Sequence, residues 1–374
     1  MNTRILQSLS QPAIADPAIA RTQRLDGFAR RLVLGQLARI TDGEIVLQDG
    51  EQSFRFGQKD ARCDLGVTVR VHDGRFWGDM AFGGSIGAGE AYMQGWWSVD
   101  DLTALVRILL CNRAVLDGME GGLASLAGPA RKLLHWANRN TRSGSRRNIA
   151  AHYDLGNDFF SLMLDPTLMY SSAIFENADM TLEEAQRARL DRICRKLQLK
   201  PWDHLLEIGT GWGGMALHAA THYGCRVTTT TISREQHALA KERIERAGLG
   251  DRVTLLLEDY RDLSGRYDKL VSIEMIEAVG HNFYDTYFRQ CGRLLQDDGV
   301  MLLQAITIAD QRYDEARRSV DFIQRYIFPG STIPSVTALL DATTRASDLR
   351  LLHLEDIGPH YAKTLRLWRE NVDR

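Results

Sequence analysis

The chain has 374 residues, 44% of them hydrophobic and 25% charged, with a formal net charge of −2 and a pI near 6.6. This is the composition of a globular protein of about two domains with ample material for a core. So balanced a charge argues against nucleic acid as a partner held by electrostatics. Five cysteines, at 63, 111, 194, 225 and 291, form no close pair, so neither a zinc knuckle nor a disulfide framework is suggested. They read as buried small apolar residues in a protein of the reducing cytoplasm. The opening MNTRILQSLSQPAIADPAIA has no signal-peptide core, and no apolar run is long enough to cross a bilayer.

In chain order, the first section runs over 1–117 and begins with a basic helical stretch, RTQRLDGFARRLVLGQLARI. GEIVLQ, SFRFG, GVTVRVHD and RFWGDMAFG then alternate apolar and polar residues between Gly and Asp turns, which predicts a small antiparallel sheet. Helix returns at DDLTALVRILLC. Residues 118–148 are rich in Gly, Ala and Ser, and 131–147 carry six Lys or Arg and no acid. That segment reads as a solvated linker; with Trp136 beside the bases, adhesion to anionic phospholipid headgroups is its sharper reading.

The third section, 149–374, alternates strands and helices, the pattern of a mostly parallel, doubly wound α/β sheet covered on both faces. TLEEAQRARLDRICRKLQL predicts a helix with Thr181 and Glu184 as a capping box and Leu190, Ile193, Cys194 and Leu197 on one face. HLLEIG, CRVTTTTI, VTLLLED, KLVSIEM, GVMLLQAIT and LRLLHLEDI are predicted strands, with Ser233 the N-cap of the helix after the second.

LLEIGTGWGG, 205–214, places four glycines within six positions at the end of the first of these strands. Such a turn lets backbone approach a ligand where a side chain would block it. A nicotinamide dinucleotide, a flavin or S-adenosylmethionine (SAM) would each suit it. A dinucleotide fold usually carries an acid at the end of the second strand, and here that place is Thr231. An acid follows the third strand instead, in LLLEDYRDL, where Glu258, Asp259 and Tyr260 could receive an adenine ring. That arrangement suits SAM better than NAD.

From about 40 to 370 the chain resembles the cyclopropane fatty acid synthase family, which includes the mycolic acid cyclopropane synthases. The motifs stand in order: HYDLGNDFFSLMLDPTLMYSSAIFE at 152–176, LLEIGTGWGG, TISREQ, LEDYRDL, SIEMIEAVGHNFYDTYF at 272–288, GVMLLQAITI, YIFPGSTIPS at 326–335 and GPHYAKTLRLW at 358–368. The resemblance implies a class I SAM-dependent methyltransferase preceded by a small α+β lipid-handling domain. Its reaction would be methyl transfer to the double bond of an unsaturated acyl chain of a membrane phospholipid, closing a cyclopropane through a carbocation. It implies a cytoplasmic enzyme, peripheral at the inner membrane face, and leaves room for a homodimer. By match to the family motifs, Tyr170, Ser171, Gly209, Gly211, Gly213, Thr231, Ile232, Gln236, Asp259, Tyr260 and Arg261 would line the SAM site.

Methyl attack on an alkene leaves a cation that must be shielded from water and then deprotonated, so a dry tunnel, aromatic faces and a base are needed. In well-known family members the base is a bicarbonate held by a Cys, a Glu, a His, an Ile backbone group and a late Tyr. Here Glu277, Ile306 and Tyr361 match, but Ser172 stands at the Cys position, Gln304 at the His position, and Ala278 where a His usually follows the Glu. Bicarbonate is therefore in doubt, and Glu277 is the firmest candidate for the base. A base placed differently would remove a proton from the chain instead, giving a methyl-branched or methylene acyl chain without ring closure. A non-catalytic lipid-binding relative and a small-molecule methyltransferase are the readings from other classes; the SAM motifs count against the first and the lipid-domain resemblance against the second. The family normally continues beyond this chain's last helix with a tail that adds a final antiparallel strand, so the sequence reads as a fragment.

Overall fold

The structure is a computed structural model that describes residues 17–121, 144 and 156–374. The basic stretch at 131–147, Trp136 included, lies outside the described residues apart from Gly144. The chain divides into two compact units, Met1–Arg131 and Lys132–Arg374.

In the amino-terminal unit, α1 (Pro17–Leu37) is followed by β1 (Gly43–Asp49), β2 (Gln52–Gln58) and β3 (Gly66–Val71). Next come α2 (Arg75–Met93), β4 (Trp97–Val99), α3 (Leu102–Cys111) and α4 (Arg113–Gly121). The sheet order is β2-β1-β3-β4. Two sequence expectations are corrected here. RFWGDMAFG is helical, the start of α2, because its apolar residues Phe76 and Trp77 are buried side by side as on a helix face, not alternately as on a strand. The sheet is mixed rather than antiparallel, since β1 pairs with β3 in parallel. Also, α4 runs past the expected boundary at 117. Ile45, Leu47, Val67, Val69, Phe76 and Trp97 lie in its core. Of the five cysteines, all free, four are buried as expected; Cys111, at the end of α3, is exposed.

The second unit contains α5 (Gly156–Met163), α6 (Leu182–Leu197), β5 (His204–Ile208), α7 (Gly214–His218), β6 (Arg226–Thr230), α8 (Arg234–Arg246) and β7 (Val253–Leu256). It continues with β8 (Tyr267–Ile273), α9 (Tyr284–Leu294), β9 (Leu295–Gln304), α10 (Asp310–Ala316), α11 (Phe322–Tyr326), α12 (Val336–Ala346) and α13 (Gly358–Val372). Its sheet has the order β7-β6-β5-β8-β9 with every pairing parallel. Chain order reverses between β5 and β8, and in such sheets the crevice at that switch point is where ligands bind. Separate apolar clusters lie on either side, one with Leu190, Cys194 and Leu197 of α6, the other with Tyr287, Phe288 and Leu294 of α9. The capping box of Thr181 and Glu184 is present, as is the Ser233 cap, whose hydroxyl accepts from the Gln236 amide. LRLLHLEDI forms no strand: 349–357 has no regular structure, and Leu351, Leu352 and Leu354 are exposed.

Candidate active site

β5 leaves the sheet into Gly209, whose amide donates to the Thr230 carbonyl at the end of β6 (3.1 Å). Gly209, Gly211 and Gly213 all have positive φ. At Gly211 (φ +51°) a Cβ would meet nothing within 4 Å, so the space over this backbone is open to a ligand. Gly214 has the opposite duty. A Cβ there would fall 2.5 Å from Met169 Sδ and 2.7 Å from the Thr167 carbonyl, so this glycine lets the 167–169 segment lie against the start of α7. The loop is fixed from below by Arg243, which donates to the Trp212 carbonyl, and by Trp212 Nε1, which donates to Asn157 Oδ1 at 2.8 Å.

The other expected SAM residues occupy the same rim. Thr231 follows β6, with its hydroxyl donating to Gln236 Oε1 at 2.9 Å; Ile232 lies between the two. After β7, the Thr230 hydroxyl donates to the Glu258 carbonyl, tying the third loop to the second. The Asp259 carboxylate is engaged by its own loop. It accepts from the Arg261 amide at 3.0 Å and from the Arg261 guanidinium at 2.8 and 2.6 Å. Asp259 therefore shapes the turn that carries Tyr260, whose ring meets Tyr287 edge-on at 5.4 Å. Ser171 is buried, and its hydroxyl has no partner among the described residues. An open glycine cradle, a buried unpaired hydroxyl and strand ends carrying neutral polar groups fit a SAM molecule lying across β5 and β6.

Beside this rim Tyr170 belongs to an aromatic wall: its ring lies 5.3 Å from Phe160, 5.3 Å from Trp368 and 6.4 Å from Phe328. Tyr361 meets Trp368 edge-on at 6.2 Å. α13 is docked on the 173–175 segment, where Thr364 Oγ1 accepts from the Ala173 amide and His360 Nδ1 from the Phe175 amide. Burial, then the nearby Glu274, Tyr170 and Glu277, hold the Tyr361 phenol well above its usual range. Tyr170 is pushed up to about 12 by burial and then by Glu274.

At the end of β8 stand two carboxyls, Glu277 buried and Glu274 half-buried. Glu277 lies in a short helical turn, Ile276–Ala278; its Oε1 accepts from the Ile306 amide at 2.5 Å, and its Oε2 is buried with no partner among the described residues. Burial, and then the charge of Glu274, push it up to about 8. Glu274 was not singled out from the sequence. Its backbone has φ +45°, a conformation that costs a residue of its size on the order of 1–3 kcal/mol. Its Oε1 accepts from the Ser172 amide at 2.9 Å and from Gln304 Nε2 at 2.8 Å. Burial raises its pKa; those two hydrogen bonds and Arg189 oppose the rise.

Arg189 and Gln186 also went unnoticed in the sequence. Both are fully buried on α6. Arg189 donates to Gln186 Oε1 (3.0 Å) and to Gln304 Oε1 (3.3 Å), while Gln186 donates to the Ser171 carbonyl at 2.8 Å. Burial depresses Arg189 to about 10. The one sequence signal for Glu274 is a second acid in the apolar run SIEMIE, three residues before Glu277. The expected catalytic set, Glu277, Ile306, Ser172, Gln304 and Tyr361, is thus brought together, and Glu274 stands among its members.

Residues 140–374 match the family model described as mycolic acid cyclopropane synthetase. The chain is 40% identical over 305 residues to the tuberculostearic acid methyltransferase UfaA1 of Mycobacterium tuberculosis, covering 77% of this chain and 68% of that one. It is 40% identical over 307 residues to the cyclopropane-fatty-acyl-phospholipid synthase of Escherichia coli, covering 81% and 76%. Among solved structures, the mycolic acid cyclopropane synthase CmaA1 complexed with SAH and CTAB superposes with a TM-score of 0.57 at 36% identity, over 61% of this chain and 83% of that one.

Proposed function

The chain belongs to the mycolic acid cyclopropane synthetase family of SAM-dependent methyltransferases, and we propose that it methylates the double bond of an unsaturated acyl chain in a membrane phospholipid and closes a cyclopropane. The observation that carries this reading is Glu277 Oε2, a buried carboxyl oxygen without a partner among the described residues, close enough to the aromatic wall of Tyr170, Trp368 and Tyr361 for its charge to act on the Tyr361 phenol. A nitrogen or oxygen acceptor needs no such dry, aromatic-walled base; a carbon cation does.

SAM, when bound, supplies an electrophilic methyl carried on a sulfonium. Gly209, Gly211 and the hydroxyl of Ser171 would hold and orient it at the carboxyl ends of β5 and β6. Transfer of that methyl would use the alkene π pair for the new C–C bond and leave the S–CH₃ electrons on sulfur. The adjacent acyl carbon is then cationic, and the faces of Tyr170 and Trp368 stabilise it while their bulk excludes water. Glu277 takes a proton from the added methyl, and the freed C–H pair closes the three-membered ring. Were the proton taken from a neighbouring chain carbon instead, a methylated, uncyclised chain would result, so the position of Glu277 sets the product.

Because the acceptor is buried in a bilayer, the enzyme works at a lipid surface. No helix among the described residues is long and apolar enough to span a membrane. We place the enzyme at the inner membrane face as a peripheral protein, with a homodimer as an open assembly. The test is incubation with labelled SAM and vesicles of unsaturated phospholipid, followed by mass spectrometry of the released acyl chains. A cyclopropane supports the reading; a branched or methylene chain reassigns the proton that Glu277 takes, and label on a soluble acceptor alone overturns it.

A further inference from the structure

The bicarbonate implied by the resemblance does not fit this site. Three of its expected holders, Ser172, Gln304 and Ile306, already have their donors engaged within the chain. The Ser172 amide and Gln304 Nε2 both donate to Glu274 Oε1, the Ser172 hydroxyl donates to the Ala173 carbonyl at 3.2 Å, and the Ile306 amide donates to Glu277 Oε1. Gln304 Oε1 faces Arg189 Nη1, which fixes the amide so that its NH₂ points to Glu274 and to the Ser172 carbonyl. A further anion would meet two carboxyls and no free donor from Ser172 or Gln304.

We infer that Glu274 is the anion of this site, a side-chain carboxylate that takes the Ser172 and Gln304 donors which the resemblance assigned to bicarbonate, and that it acts on the reaction through Glu277 as a positioning residue. The inference rests on the proposed methylation of an alkene. Three features support it. Glu274 holds a backbone conformation unfavourable for its size, and such residues concentrate at functional sites. The replacements at Ser172 and Gln304 make sense together, since a neutral amide beside Arg189 can donate to a carboxylate fixed on the chain. The groups facing Glu274 are Glu277, Arg189, Tyr170 and Tyr361, which are the cationic, acidic and phenolic groups around the reacting centre. A fixed negative charge there favours a cation on the acyl chain and keeps Glu277 a stronger base than an isolated carboxylate.

The experiment uses the full chain with unsaturated phospholipid vesicles and labelled SAM, in buffer stripped of carbon dioxide or supplemented with bicarbonate. The parent, Glu274→Gln and Glu274→Gly are compared, and binding of ¹³C-bicarbonate to each is followed by NMR without substrate. We expect parent turnover to be indifferent to bicarbonate and the parent not to bind it. Glu274→Gln should move the rising limb of the pH–rate profile to lower pH, because it removes a like charge beside Glu277. Glu274→Gly, which relieves the backbone and frees both donors, should bind bicarbonate and regain turnover when it is added. Stimulation of the parent by bicarbonate, bicarbonate binding to the parent, or an unmoved profile in Glu274→Gln would overturn the inference. A parent that methylates no lipid overturns the proposed function instead, and the NMR arm still decides whether Glu274 excludes the anion.

Discussion

The glycine rim and the carboxyl cluster are neighbours at the carboxyl ends of one sheet, yet they are encoded in opposite ways. The rim is made of backbone: ten consecutive residues, Leu205–Gly214, set its path, and its function is to have no side chain where Gly211 faces open space. The cluster joins side chains to backbone groups from four separated segments, Ser171–Ser172, Gln186 with Arg189, Glu274–Glu277, and Gln304–Ile306. A local motif therefore announces the rim. Only the fold assembles the cluster.

The two regions should break differently. Gly211→Val puts a β-branched residue at φ +51° and fills the open space above the loop, so SAM binding should be lost altogether. Calorimetric titration checks this; binding as tight as the parent's would remove the loop from the cofactor site. Glu277→Gln keeps the shape of the cluster and removes its proton acceptor. Turnover should fall on the order of 10²-fold or more, with SAM affinity largely intact. Near-parental turnover would mean that the proton goes elsewhere.

A smaller effect tells the regions apart by pH. Burial and Glu274 push Glu277 up to about 8, so at neutral pH most of it carries a proton and only the ionised fraction can act as base. The rate on unsaturated vesicles should rise with pH and level off above about 8, while SAM binding at the rim should be flat over the same range. A rate plateau already reached at pH 6 would contradict the assignment.

How much could be read beforehand follows the same division. The sheet, the capping box of α6 and the Ser233 cap were legible because each is written in local spacing. The start of α2 misled, because Phe76, Trp77, Met80 and Phe82 lie among glycines and satisfy alternation over a few residues as well as a helical face. LRLLHLEDI had the composition of a strand, but pairing is a property of a neighbour, and composition does not supply one. At the site, Glu277, Ser172, Gln304, Ile306 and Tyr361 could be aligned by motif. Glu274 and Arg189 could not, since their meaning depends on a contact between α6 and the end of β9, more than a hundred residues apart in the chain. Asp259 shows the converse: its place after a strand suggested a ligand contact, whereas its carboxylate closes its own turn on Arg261.

The sharpest small test lies where the two regions meet. Glu207 is on β5, directly beneath the glycine rim, and it is buried with Oε2 accepting from Thr229 Oγ1 at 2.7 Å. Burial raises it to about 8, against the pull of the Thr229 hydrogen bond and of Arg189, the same guanidinium that faces Glu274. The sign follows from proton counting. Between the ordinary carboxyl range near 4.5 and about 8, the folded chain holds a proton that the unfolded chain releases. The contribution of Glu207 to stability is therefore fully present below 4.5 and is lost as the pH rises through about 8. Glu207→Gln is neutral throughout and lacks this loss. Its melting temperature relative to the parent should climb from pH 5 to pH 8, at about 1.4 kcal/mol per unit of displaced pKa and about 2–4 °C per kcal/mol for a unit of this size. SAM affinity should not follow, because the rim above is backbone. Scanning calorimetry of both proteins across that range, with SAM titrations alongside, checks it; parallel melting curves would mean that Glu207 is ionised in the folded protein across that range.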